Sequence, residues 1–203
     1  MSAVRSKTVI AIVRGRNWGI HMRYLLALVL VLFAPVAHAQ GGFTFANTPG
    51  PHGVGLRVVH QHDFSRSYRG ATDPVTGKAV TVDKARPIQT LIWYPAAKSG
   101  TPVRYNDYLR LSATEEMFGR SDAEITAATA GFLRSAISAG PEARIKAETE
   151  RTMWAVRDAA PATGKFPVVI YAPSFGAPAY ENADMAEYLA SQGYVVIASP
   201  SVG

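Results

Sequence analysis

The 203-residue chain contains no cysteine, which excludes a disulfide, a thiol nucleophile and a cysteine-linked lipid. Its formal net charge of +6 points at first towards nucleic acid. Five of its 21 basic residues (Arg5, Lys7, Arg14, Arg16, Arg23) but none of its 15 acidic residues precede Gln40, so the rest carries only +1 and has no Lys/Arg cluster with interleaved aromatics, which argues against a nucleic-acid partner.

Residues 1–39 read as a signal peptide. Tyr24 to Val36 (YLLALVLVLFAPV) has the length of an apolar signal core, Arg23 precedes it, and Ala37-His38-Ala39 is an A-x-A cleavage site. The run is shorter than the roughly 20 apolar residues of a membrane span, and Pro35 interrupts its end. Met22 to Ala39 alone makes a complete signal peptide. The expectation is export to the periplasm or the medium, with cleavage after Ala39 and no stable membrane anchor afterwards; an uncleaved N-terminal anchor is the alternative.

Gln40 to Gly203 suffices for one modest domain. It holds neither a phosphate-binding G-x-x-x-x-G-K-[ST] loop nor a dinucleotide G-x-G-x-x-G, and "GPHGVG" (Gly50 to Gly55) precedes a strand where a dinucleotide loop would follow one. After a loop over Gly41 to Gly53, Leu56 to Phe64 reads as a strand. Asp73 to Lys78 (DPVTGK) reads as a turn with Pro74 and Gly77 at its bend. Ile88 to Tyr94 is a second strand, stopped by Pro95, and it pairs antiparallel with the first.

Arg104 to Ala160 is rich in Ala, Glu and Arg and reads as a helical insert. Ser121 and Glu124 form a capping box, apolar residues from Ile125 to Ile137 recur at helical spacing, and Gly140 ends the helix. Pro141 opens another that runs to about Arg157 and carries Trp154. Val168 to Tyr171 and Val195 to Ile197 are unbroken apolar runs, as in parallel strands buried on both faces. A helix over Asn182 to Gln192, closed by Gly193, joins them into a βαβ unit. The fold class is therefore α/β: antiparallel first strands, a helical insert, then a parallel βαβ unit. The loop Pro173 to Glu181 lies beyond a strand's carboxyl end, where such sheets place function.

Ala172-Pro173-Ser174-Phe175-Gly176 differs from a G-x-S-x-G nucleophile elbow in its first glycine. A serine nucleophile needs a base, usually histidine. The histidines are at 21, 38, 52, 60 and 62; none follows Ser174, and Pro173 is an odd neighbour for a strained turn. Ser174 is thus not read as a nucleophile.

"RPIQTLIWYPA" (Arg86 to Ala96), "KFPVVIYAPSFGAP" (Lys165 to Pro178) and "EYLASQGYVVIASPS" (Glu187 to Ser201) resemble the α/β-hydrolase superfamily, most of all its dienelactone hydrolase-like and platelet-activating-factor acetylhydrolase-like esterases. The resemblance spans about Leu56 to Ser201, with Arg104 to Ala160 matching poorly; Leu189 to Val196 is its most specific part. It implies hydrolysis of small-molecule esters or related acyl substrates, without a cofactor. It also implies that the family's Ser-His-Gly loop falls on Ala172-Pro173-Ser174, making the Phe175 backbone N–H an oxyanion donor within the loop Ser174 to Gly176. The loop lacks the family's histidine and glycine. The family's nucleophile, acid and histidine all come later than Gly203, so no catalytic residue is present in this chain, which reads as the N-terminal part of a longer hydrolase. The alternatives are a non-catalytic exported binding protein or inactive remnant on the same scaffold, and a peptidase of the same fold.

The remaining constellations read as structural. His60 and His62 share a strand face, with only Asp63 on the opposite face or His52 in the loop as a third ligand, so no metal site is assigned. Asp63 and Arg66 form a local pair, Trp93 and Tyr94 pack at the sheet, and Glu181, Asp184 and Glu187 favour a helix start. Val195 to Ile197 is expected at an exposed sheet edge, prone to association.

Overall fold

A computed structural model describes residues 47–65, 68–82 and 85–201. The predicted signal peptide, and Arg66 of the predicted Asp63–Arg66 pair, lie outside the described residues.

β1 (Gly53–Asp63) and β4 (Arg86–Ala96) pair antiparallel along their whole length, Leu56 opposite Trp93 and Val58 opposite Leu91. Pro95 does not stop β4: the strand runs one residue further, and the Pro95 carbonyl accepts from Ala162 N–H at 2.9 Å. β2 (Tyr68–Thr72) and β3 (Ala79–Val82) form a separate hairpin around the predicted turn. There the Asp73 carboxylate accepts from Val75 and Thr76 N–H, and Gly77 takes a left-handed φ of 69°.

β5 (Pro102–Arg104) leads into three helices, α1 (Tyr105–Ser112), α2 (Asp122–Ala139) and α3 (Glu142–Thr149). The capping box of α2 is in place: Glu124 N–H donates to Ser121 Oγ at 3.3 Å, and Ser121 N–H to Glu124 Oε2 at 2.8 Å. The helix predicted from Pro141 to Arg157 ends at Thr149, and Thr152–Arg157 is a strand, β6, carrying Trp154. TMWAVR alternates buried and accessible residues with the two-residue period of a strand, and β6 fits between β5 and β1.

β7 (Val168–Tyr171), α4 (Ala183–Ser191) and β8 (Val195–Ala198) complete the predicted βαβ unit, with β7 and β8 parallel. Gly193, at φ 99°, turns the chain out of α4 in the left-handed conformation that suits glycine. The six-stranded sheet runs β5-β6-β1-β4-β8-β7. With its parallel and antiparallel pairs and its helices, it is the expected α/β architecture.

Two edge expectations are corrected by this order. Val195 to Ile197 is interior, flanked by β4 and β7; among the described residues β7 has one partner only and forms the edge. Nor is β7 buried on both faces, since Val168 is 58% and Ile170 82% exposed. The main core lies on the other face. Leu56, Leu91, Trp93, Ala155 and Val196 meet the small residues Ala183, Ala186 and Ala190 of α4. Alanines there let the helix approach the sheet closely. On the opposite face the Tyr94 ring lies over Gly55, where a Cβ would come within 2.3 Å of it, so this strand glycine makes room for an aromatic.

Candidate functional site

β1, β7 and β8 run in one direction and β4 against them, so Asp63, Tyr171, Ala198 and the start of β4 share one end of the sheet. The loop after β7 sits at this carboxyl end. Most of its backbone donors are spent. Pro173 and Pro178 have none. Ser174 N–H donates to Glu181 Oε2 at 2.9 Å, Gly176 N–H to the Ser201 carbonyl at 2.9 Å, and Ala177 N–H to the Ser174 carbonyl at 2.9 Å. Ser201 N–H returns to the Ala177 carbonyl at 3.1 Å, tying the loop to the chain after β8. Phe175 N–H makes no hydrogen bond among the described residues, and its side chain is 89% exposed. Gly176 holds the bend at φ 73°, with open space where a Cβ would point.

Ser174 has no histidine beside it among the described residues; the carboxylate it meets is a weak base. Glu181, which its N–H contacts, also accepts from Tyr171 Oη at 2.7 Å. The Ser174 hydroxyl and N–H, then Tyr171, hold the Glu181 carboxyl below its ordinary pKa, which makes it a weak base. Among the described residues the histidine rings are elsewhere. His60 and His62 share one face of β1 as predicted, but both meet Phe118: His60 stacks on it at 4.2 Å and His62 lies edge-on at 5.1 Å. Burial, then the charges of Arg157 and His62, lowers the His60 pKa. His52, at the far end of β1, packs edge-on against Phe166 at 5.4 Å. No group of three or more metal-ligating side chains forms among the described residues.

Glu187 was read as a helix-start charge; it is instead buried at the centre of a polar network. Trp93 Nε1 donates to Tyr108 Oη at 2.8 Å, Tyr108 Oη donates to Glu187 Oε1 at 2.6 Å, and Trp154 N–H donates to Glu187 Oε2 at 2.6 Å. Burial pushes the Glu187 carboxyl up to about 7, against the lowering effect of Tyr108 and the N–H groups of Trp154 and Ala155. Nearby, Arg151 grips Asp184 through both terminal nitrogens at 2.7 and 3.2 Å. These bonds clamp α4 to α1 and β6 and so fix the loop that precedes α4. The signal was present in the sequence: Glu187 falls at helical spacing with Ala183, Ala186 and Ala190, on the face that is buried.

A cleft of about 220 Å³ opens beside the loop, bounded by Gly176, Pro178, Glu115, Arg120 and Phe132. A larger cavity of about 400 Å³, lined by His52, Met153 and Trp154, lies towards the opposite end of β1, away from the loop. The smaller one is the candidate site because it adjoins the carboxyl ends of the strands. In its wall, Arg120 pairs with Asp73 at 3.0 Å and its side chain is only 4% exposed. Burial works to raise the Asp73 pKa, but the N–H groups of Thr76 and Val75 and the Arg120 guanidinium outweigh it and hold the carboxyl ionised. Glu115 is different. Burial, then the charge of Glu116, pushes its carboxyl up to about 8, although Ala179 N–H donates to it. Its Oε1 is buried without a hydrogen-bond partner. Neither Glu115 nor Arg120 had a local sequence signature; the contacts that matter come from the hairpin turn and the loop after β7.

No protein-family model matches the chain, and no curated protein matches it. Among solved structures, a ferulic acid esterase from Streptomyces cinnamoneus aligns with a TM-score of 0.44 and 23% identity, over 76% of this chain and 35% of that one. The chain thus spans about a third of that esterase's length.

Proposed function

We infer that the chain is the first part of an exported serine hydrolase domain acting on carboxylic esters or related acyl groups. Phe175 N–H supplies one oxyanion donor, and the nucleophile, acid and histidine lie outside these residues. One observation carries this reading: in the loop after β7, Phe175 N–H makes no hydrogen bond among the described residues, while Ser174 and Gly176 on either side of it are donors that hold the loop's shape. A fixed N–H aimed at developing negative charge costs little reorganisation, and losing one such donor typically costs about 10²–10³ in rate. The resemblance of the strands around Trp93, Tyr171 and Val195 to dienelactone hydrolase-like esterases supports the same assignment, as does the lack of a histidine beside Ser174 among the described residues. In the complete enzyme a serine attacks the acyl carbon, a histidine takes its proton, and the Phe175 amide helps hold the oxyanion of the tetrahedral intermediate. Export follows from residues 1–39, and no cofactor enters the chemistry.

The test is labelling of the protein from its native source with a fluorophosphonate, followed by mass spectrometry of the modified peptide. The reading expects a labelled serine outside residues 1–203. Labelling of Ser174 would overturn the assignment of the loop, and a folded native protein that takes no label would favour a binding role for the scaffold.

A further inference from the structure

The cavity of about 400 Å³ towards the far end of β1 takes no part in the chemistry proposed above. It is of ligand size, since small-molecule sites run from roughly 300 to 1,000 Å³. Its walls are largely apolar: Val54 of β1, Met153, Trp154 and Val156 of β6, and Pro102 of β5. They are held in place from three sides. Gly50 N–H donates to Ser191 Oγ at 2.9 Å and His52 N–H to the Ser191 carbonyl at 3.1 Å, which fixes the segment before β1 to the end of α4. Ala97 N–H donates to the Ala160 carbonyl at 3.0 Å and fixes the loop after β4. The backbone of Trp154 is held by Glu187. Gly100, at φ 99°, lets the loop after β4 close on β6, where a Cβ would come within 2.7 Å of the Val156 side chain. A cavity formed before its ligand arrives loses little to ordering.

The polar lining is one-sided. Among the described residues around the cavity there is no aspartate or glutamate, and Lys98 carries the one formal charge. Lys98 is exposed and forms no ion pair among the described residues. Its Nζ reaches only the Gly50 carbonyl, at 3.5 Å, longer than the usual hydrogen bond of about 2.7–3.2 Å. That contact sets the ammonium between the loop after β4 and the segment before β1, both of which line the cavity. The His52 ring packs against Phe166 and Gly193. We propose that this cavity binds a small amphipathic carboxylate, with its apolar body against Val54, Met153, Trp154 and Val156 and its carboxylate at the Lys98 ammonium. One ammonium, with no guanidinium fork beside it, matches a carboxylate monoanion better than a phosphate dianion. An ammonium ligand meets a like charge with no carboxylate in the lining to offset it. This site does not depend on the hydrolase reading.

The experiment is NMR on the full chain, following the Gly53 and Gly100 amides and the Trp154 indole N–H during titration at pH 7 with hexanoate, hexylammonium and acetate. Hexanoate and hexylammonium have similar apolar chains and opposite charges. Hexanoate is expected to bind about 5-fold tighter, the effect of one exposed ion pair gained against one like-charge contact. Acetate lacks the chain that the walls would bury and is expected to bind at least about 10-fold more weakly than hexanoate. Raising the salt from about 0.02 to about 0.5 M narrows the gap between the two six-carbon probes, a readout that needs no variant. Lys98→Gln closes the gap, and the fold tolerates it because Lys98 is exposed and makes only the one long contact. Equal or tighter binding of hexylammonium, a gap that survives Lys98→Gln, acetate matching hexanoate, or no shift at these three groups would each overturn the proposal. The hexanoate pattern in a protein that takes no fluorophosphonate leaves this site in place and removes the hydrolase reading alone.

Discussion

Tyr108 and Glu187 show how much of this scaffold hangs on single hydroxyl and carboxyl groups. Tyr108→Phe removes the acceptor of Trp93 Nε1 and the donor to Glu187 Oε1 together. Leaving two buried groups without partners costs about 2–4 kcal/mol, read as a lower urea midpoint with an unchanged m-value. The pH response follows from the same burial. The Glu187 and Glu115 pKa values are raised from 4.5 to about 7 and about 8, so the folded state binds more protons than the unfolded chain between pH 4.5 and 8. Stability from these two groups therefore declines as pH rises through that window. Urea unfolding at pH 6, 7 and 8.5 should show the decline, and Glu115→Gln should flatten its upper part; a wild-type stability that rises from pH 7 to 8.5 would refute the assignment. Sequence reasoning placed Glu187 on the right helix but read it only as a charge favouring the helix start. Its spacing with the alanines marks the buried face, but its partners, Tyr108 and the Trp154 amide, are distant in sequence and not legible locally. Phe118 is a parallel case: nothing near His60 and His62 in the chain announces the ring that covers them.

At the level of elements, the local signals that decided correctly were turn and cap chemistry. Asp73 and Gly77 place the hairpin turn, Ser121 and Glu124 start α2, and Gly193 ends α4. Each is a short-range hydrogen bond or a backbone conformation that one or two residue types satisfy, and so is readable locally. Two errors have one source. TMWAVR was merged into a helix because its neighbours are good helix formers, although its partners β5 and β1 make it a strand. VVIY was read as doubly buried because an unbroken apolar run does not say which neighbours are present. The observed edge at β7 yields a prediction. It is short and uncharged, with Val168 and Ile170 on an open face, and among the described residues nothing pairs with its outer side. Such an edge recruits other strands. The chain should associate with rising concentration in sedimentation velocity, and Ile170→Lys should shift it towards monomer with little loss of stability, because Ile170 is already exposed. Equal association of the variant would place the contact elsewhere.

Across the whole molecule, the strand order explains why the sheet's class was legible and its edges were not. Antiparallel β1–β4 and parallel β7–β8 follow from patterns within each segment and the helix between the last two. The insertion of β8 between β4 and β7 is a crossover that no single segment encodes. Of the candidate site, Phe175 was named by resemblance and its role is a proposal, whereas the cleft with Glu115 and Arg120 had no local signature and assembles from the hairpin turn, the helical region and the loop after β7. The proposed hydrolase needs a further strand beside β7, then a nucleophile and a histidine. The most direct measurement is the nucleotide sequence of the source DNA past the codon for Gly203. The account predicts a reading frame, in phase or displaced by one nucleotide, that continues with a strand, a G-x-S-x-G elbow and a later histidine. A true stop codon after Gly203, matched by the native transcript, would contradict the catalytic reading and leave a binding scaffold or a remnant.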